Sequence, residues 1–259
     1  MMNRKWLIIL AVVAYFFFLF WYAPAQLVFG FLTKGVATPA GLLQCRSLQG
    51  NWREGVARDG RLGGIQLQEF RWTFQPLGLL TGSLSGFISA QTEFSSFSTR
   101  LNRGIRTLSV QELEGTIDMA ALTPLKAATG IQLDGDVLVS KTNVTIRQGR
   151  ITAAQGKWVW NDAAIKSPRL NQLGALTIDL MTRSNETRVT IGDQGGPLQL
   201  EGLLVLPADG RYNLTARMAA RNSQSELEEL ISSLAFLGKK EQDGSLHFSL
   251  NGVLPPLLP

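Results

Sequence analysis

Hydrophobic positions follow two regimes along this chain. Residues 6–23 read WLIILAVVAYFFFLFWYA without a charged side chain, and the next charge after Lys5 is Lys34. A bilayer core takes about 20 such residues at a rise of about 1.5 Å each. After residue 60 the pattern changes to period two. Leu198, Leu200, Gly202, Leu204 and Leu206 share one parity; Leu214, Ala216 and Met218 alternate with Asn213, Thr215 and Arg217. Leu246, Phe248 and Leu250 alternate in the same way with Ser245, His247 and Ser249. Period two places one set of side chains on a buried face and the other on a wet face. Glycines mark the breaks, among them Gly60, Gly63, Gly64, Gly104, Gly149, Gly195, Gly196, Gly210 and Gly244. Short alternating runs between glycine turns predict antiparallel hairpins, and no strand–long-helix alternation points to a parallel α/β sheet.

Two segments depart from period two. Residues 118–129 (DMAALTPLKAAT) predict a short helix carrying Leu122 and Leu125, with Pro124 in its first turns and Gly130 as its stop. A second helix is capped by Ser223, with Glu226 three residues on. Leu227, Leu230, Ile231, Leu234 and Leu237 then share one face, which packs on the sheet. Gly238 is its expected C′ residue, and Lys239 and Lys240 lie near its negative end.

Arg4 and Lys5 precede the apolar run, so positive-inside logic holds them in the cytoplasm and sends the remainder across. Trp6 at one end, with Trp21 and Tyr22 at the other, matches the interfacial aromatic belt. Ala23-Pro24-Ala25 also resembles a signal-peptidase site, but the apolar run exceeds the usual signal-peptide core of about 7–15 residues. The expectation is an uncleaved anchor. Four parts follow: a cytoplasmic start (1–5), the anchor and its exit (6–32), and two β-rich halves (33–149 and 150–259). The halves rest on repeated landmarks. Gly50-Asn51-Trp52 returns as Gly156-Lys157-Trp158, Gly130 as Gly238, and Asp134-Gly135 as Asp243-Gly244. The spacings agree closely and define a unit of about a hundred residues, an ordinary domain length. No linker separates the halves; residues 147–160 (RQGRITAAQGKWVW) read as strands running through the junction. One continuous sheet is expected, and a sheet so wide must curl, close or split. With few helices to cover it, one face stays partly open as an apolar groove.

Composition narrows the chemistry. Charged residues make up 17% of the chain, against about 25% in ordinary soluble domains, which agrees with a part held outside water. A His/Cys zinc site needs three or four ligands, and one histidine with one cysteine cannot supply them. His247, on the outward parity of its strand, would be the sole candidate base and reads as a rim residue. Cys45 reads as a quiet buried thiol, with pairing between chains as the other reading. Asp134-Gly135-Asp136 lacks the later ligands of a calcium loop and reads as a turn. No phosphate-binding glycine loop is present. The formal sequons at Asn143, Asn185 and Asn213 are read as polar strand positions, and Trp52, Trp72, Trp158 and Trp160 as core anchors. The positive charge is dispersed along the chain, with Lys239-Lys240 and Arg100, Arg103 and Arg106 as its densest spots. Without aromatic–basic interleaving it reads as a solvated surface and not as a nucleic-acid site. No catalytic, cofactor or metal residue is assigned.

Several of these features occur together in one known family. Gly50-Asn51-Trp52-Arg53-Glu54-Gly55, Trp72-x-Phe74-x-Pro76, Leu80-x-Gly82, Leu133-Asp134-Gly135, Gly156-x-Trp158, Leu237-Gly238 and the strand from Asp243-Gly244 to Asn251-Gly252 appear in order. With the basic start and single anchor, the chain resembles the N component of the bacterial type II (general) secretion pathway; the Pro255-Pro256 and Pro259 end lies outside that pattern. The resemblance implies a non-catalytic, single-pass inner-membrane protein whose C-terminal region is periplasmic. It implies as partners other secretion subunits and the inner membrane, in support of export of folded proteins across the outer membrane. The β-rich halves also resemble AsmA-like anchored β-groove proteins, which implies a competing role in binding or passing lipid.

Overall fold

The computed structural model describes residues 15, 18, 21–26, 43–62, 65–121, 132–166, 170–221 and 225–255. Alternation becomes strands throughout them. The first group is β1 (Leu43–Gly50), β2 (Glu54–Leu62), β3 (Ile65–Gln75), β4 (Ser83–Gln91), β5 (Ser96–Gly104) and β6 (Thr107–Asp118). Three long central strands follow: β7 (Gln132–Arg147), β8 (Arg150–Lys166) and β9 (Leu170–Arg183). The last are β10 (Glu186–Asp193), β11 (Leu198–Pro207), β12 (Arg211–Ala220), β13 (Lys239–Lys240) and β14 (Leu246–Val253). They form one antiparallel sheet in which each strand from β1 to β12 pairs with the one before it, and β14 then lies between β12 and β13. Pairing passes directly from β7 to β8 through the Gln148-Gly149 turn, Arg147 opposite Arg150. The sheet expected from the linker-free junction is therefore continuous.

Register aligns the apolar parity from strand to strand. Leu200 faces Met218, Leu204 faces Leu214, and these face Leu246 and Leu250 in turn. Toward the centre the same row takes in Ile191 and Ile178, then Trp158 and Val139. At the start it holds Ala57, Phe70 and Ala90. A helix, α1 (Ser225–Ser233), packs on this face, burying Leu227 and Ile231 against Ala163, Leu173, Leu176, Leu198 and Leu246. Residues of β8, β9, β11, β12 and β14 thus share one core with the helix. Six adjacent strands span about 24 Å at about 4.8 Å spacing, against a helix about 10 Å wide. The sheet reaches α1 from both sides by curling around it. A second, smaller core joins Ala25, Ala57 and Trp72, with Cys45, Leu48, Phe70, Phe74 and Ile88 packed on it.

Because the strands run as a meander, their turns divide between two rims. One, called here the first rim, carries the turns that follow β1, β3, β5, β7, β9 and β11. The second rim carries those after β2, β4, β6, β8 and β10, together with α1.

Several expectations are corrected. Asp118 ends strand β6, and only a 3-10 turn, Met119–Ala121, begins where a helix was expected; residues 122–131 lie outside the described residues, as does the cap Ser223. Gly238 is not a left-handed stop. Its backbone is extended at φ −165°, and a Cβ there would fall on the carbonyl oxygen of His247 in β14. It is glycine because two backbones meet. Lys239 and Lys240 do not cap a helix dipole: after the 3-10 turn Ala235–Leu237 they form β13, opposite His247 and Leu246. The anchor lies largely outside the described residues, Arg4, Lys5 and Trp6 included; positions 15, 18 and 21 are helical. Among the described residues no helix is long and apolar enough to cross a membrane.

Candidate functional site

Residues 21–26 leave the N-terminal segment and close on the first hairpin. Asn51 organises that turn: its Oδ1 accepts the Arg53 and Glu54 N–H groups, both at 2.9 Å. Its carbonyl accepts Trp72 Nε1–H at 3.2 Å. The incoming segment adds three ties. Pro24 bridges Asn51, Trp52 N–H donates to the Ala23 carbonyl at 3.3 Å, and Gln26 Nε2 donates to the Leu48 carbonyl at 3.0 Å. Ala25 is buried with Ala57 and Trp72. The Arg53 guanidinium stands 4.2 Å from the centroid of the Trp21 ring, a cation–π contact of about 0.5–2 kcal/mol. Tyr22 is exposed beside it. Gly50 and Trp52 thus belong to a clip that holds the N-terminal segment to the sheet.

The two edges of the sheet differ. Leu48 presents its carbonyl to Gln26 and not to β2, so the parity of Leu48, Arg46 and Gln44 forms the outward row of β1. Among the described residues no strand pairs with that row. The opposite edge is β13, two residues long and both lysine, with Lys240 Nζ on Ser232 Oγ at 3.2 Å. Short, lysine-bearing edge strands discourage further pairing.

The other sequence landmarks lie apart from the clip. Gly156 and Trp158 sit inside β8, whereas Gly50 and Trp52 sit at a turn. Trp158 Nε1–H donates to Thr142 Oγ1 at 2.8 Å, and a Cβ on Gly156 would fall on that same hydroxyl. Thr142 is fully buried and escaped notice, because a lone threonine at an irregular point of a strand carries no signal. Gly135 occupies a bulge of β7 with φ +96°, and Trp160 Nε1–H reaches the Asp134 carbonyl at 3.0 Å. Gly244, φ +81°, turns the chain into β14. Beside it Asp243 accepts Ser245 Oγ–H at 2.6 Å and N–H at 2.9 Å, and Arg217 at 2.6 Å. The Ser245 hydrogen bonds, with Arg217 behind them, hold its carboxyl down to about 2.

Among the described residues no hydrogen-bond partner stands on His247 Nε2. His247 lies on β14 between Arg217 and Lys239, with Nε2 at 4.0 Å from Glu241 Oε1, beyond hydrogen-bond reach. Cys45 is half-buried, and its burial raises the thiol pKa, the reverse of an activated thiolate. Among the described residues no group of three His, Cys, Asp or Glu side chains is placed to hold a metal ion. What the molecule offers is surface: an open strand edge, an apolar face and two unlike rims.

The comparisons with known proteins are sparse. Neither the curated proteins nor the solved structures contain a match to the chain. A family model described as "Type II secretion system (T2SS), protein N" matches residues 42–249, which run from β1 into β14. The matched span covers most of the sequence and nearly the whole sheet, and the chain therefore belongs to the type II secretion system protein N family.

Proposed function

We propose that this component of the type II secretion system is a non-catalytic scaffold, anchored in the inner membrane by residues 6–23, with its sheet in the periplasm. In this reading it engages another secretion subunit by accepting a strand along β1. The inequality of the two edges carries the proposal. An outward row of backbone groups at Gln44, Arg46 and Leu48 lacks a strand partner among the described residues, while the far edge is short and doubly lysine. Strand addition takes its affinity from main-chain hydrogen bonds, so an unpaired N–H and C=O row is the feature it needs. The charge-free run after Arg4 and Lys5 supports the anchor.

Arg46→Pro tests the strand. Proline removes an outward donor yet is tolerated on an edge. Export of a folded substrate should fall while protein level and melting temperature hold, and a photo-crosslinker at position 44 should capture a secretion subunit. Normal export by Arg46→Pro together with no crosslink at position 44 would sink the scaffold reading.

One observation favours a second reading, lipid binding or transfer: the apolar parity continues from β2 through β12 and on to β14. Lipid retained at one per chain in native mass spectrometry, and lost together with function in Leu204→Arg, would decide for it. A purified chain free of lipid would decide against it.

A further inference from the structure

We propose that the first rim lies flat against an anionic phospholipid surface, so that the sheet stands on the bilayer instead of hanging from a tether. The inference rests on the anchor reading above and adds an orientation to it.

Three observations converge on this rim. The first is where the N-terminal segment arrives. Residues 21–26 are pinned at the β1–β2 turn by the Trp52, Pro24 and Gln26 contacts and by buried Ala25. A membrane helix ending at Trp21 and Tyr22 therefore delivers the bilayer surface to that turn with almost no slack. The second is the continuity of the rim. Phe74 N–H donates to the Arg53 carbonyl at 2.5 Å, Gln148 N–H to the Arg106 carbonyl at 2.9 Å, and Leu254 N–H to the Gly210 carbonyl at 2.9 Å. Ile105 packs beside Gly82, and the Arg150 guanidinium lies over Gly210. The first four turns thus touch in order, and the fourth reaches the β11–β12 turn through Arg150, so that these turns form one ridge.

The third is chemistry. The ridge presents Ile105 at 85% exposure, Leu77 at 71% and Val253 at 68%. Between them stand Arg103, Arg106, Arg147 and Arg150, all exposed. Among the described residues none of these four forms an ion pair, whereas at later turns of the same rim Arg188 and Arg211 have Glu186 and Asp209. Exposed apolar side chains alone do not single out this rim, since Phe94 on the second rim is 66% exposed. Phe94 shares its hollow with Arg46 and Arg61 but also with Asp59 and Glu93, so the positive charge there is matched by acid. Arginines scattered in sequence converge because every second turn of a meander falls on the same side. Apolar tips set among unpaired guanidinium groups suit the boundary between headgroups and acyl chains of an anionic membrane.

The test uses the full-length protein with Cys45→Ser, reconstituted into vesicles of phosphatidylcholine alone or with phosphatidylglycerol. A single environment-sensitive fluorophore is placed by Ile105→Cys, Leu77→Cys or, on the second rim, Phe94→Cys. In phosphatidylglycerol vesicles the labels at 105 and 77 should shift to the blue and be quenched by nitroxide-bearing lipid, while the label at 94 stays wet. Raising salt, or combining Arg103→Glu, Arg106→Glu and Arg150→Glu, should abolish the shift at 105 without releasing the protein from vesicles. Equal wetness at 105 and 94 in a vesicle-bound protein overturns the orientation and leaves the anchor standing. An equal shift in both lipid compositions overturns the claim of anionic recognition. Failure of the parent protein to float with vesicles overturns the anchor and the inference built on it.

Discussion

The region around β1–β4 and the region around β8–β14 cover the same apolar face by different means. In the later region α1, a piece of the chain lying between β12 and β14, supplies Leu227 and Ile231 to a core of seven buried residues. In the earlier region the buried core is Ala25, Ala57 and Trp72, and one of the three comes from the segment that leads out of the N-terminal run. The later region carries its own cover. The earlier one borrows part of its cover from the segment read as the membrane exit, so its integrity is tied to how that segment is held.

The sharpest way to break this contrast is to remove one large buried side chain from each region. Trp72→Ala should cost about 3–5 kcal/mol and Ile231→Ala about 2–5 kcal/mol. Hydrogen exchange should show amides of β1–β4 released by the first change and those of β11–β14 by the second. Equal release everywhere would mean one cooperative unit and no regional difference. Next in size is Asp193, which closes the β10–β11 turn. Burial opposes its ionisation, but hydrogen bonds from Arg221, Gly195 and Leu200 outweigh that and lower its pKa. Asp193→Asn keeps the shape but loses the charge on those bonds, at about 1.5–3 kcal/mol, and the loss should read out as exchange in the later region only.

The borrowed cover is probed by Ala25→Leu. It adds volume to a closed site, at about 1–3 kcal/mol, and should loosen β1–β3 while leaving α1 protected; no change in β1–β3 exchange would show that residues 21–26 contribute nothing there. The smallest effect concerns acid. Asp243 is held down to about 2, from an ordinary 3.8, so its contribution to the later region is present above the ordinary value and fades as pH falls from about 4 toward 2. Asp243→Asn should flatten that part of a plot of urea midpoint against pH. An unchanged slope would remove Asp243 from the account.

Much of this was legible in the sequence because period two survives wherever strands are regular. The rows through Leu198–Leu206, Leu214–Met218 and Leu246–Leu250 lie on one face as their parity predicts. Between β5 and β9 legibility fails for a physical reason. Bulges at Gly135, Lys141 and Asp162 insert extra residues into β7 and β8, and each one swaps the face that later residues occupy. Parity read across them misses partners such as Thr142 and Trp158. Gly238 shows a different limit: glycine before two lysines reads as a helix stop, while the cause of its smallness is the His247 carbonyl in β14, nine positions and one turn away. The rim was invisible for a similar reason. Arg106 and Arg147 are far apart in the chain, and only the fold makes their turns neighbours, through Gln148.

The order of the strands has a consequence for how the molecule is made. From β1 to β12 each strand pairs with its immediate predecessor, so no strand waits for a partner that has yet to be synthesised. Loop closure stays short at every step, which favours rapid, local assembly over a search among distant pairings. A chain whose β1 is the first strand to emerge from a pore can zip its sheet hairpin by hairpin, each new strand covering the open edge left by the last. The exception comes at the finish, where β13 is made before β14 yet pairs only with it; β14 arrives between β12 and β13, and the short lysine strand is left as the outer edge.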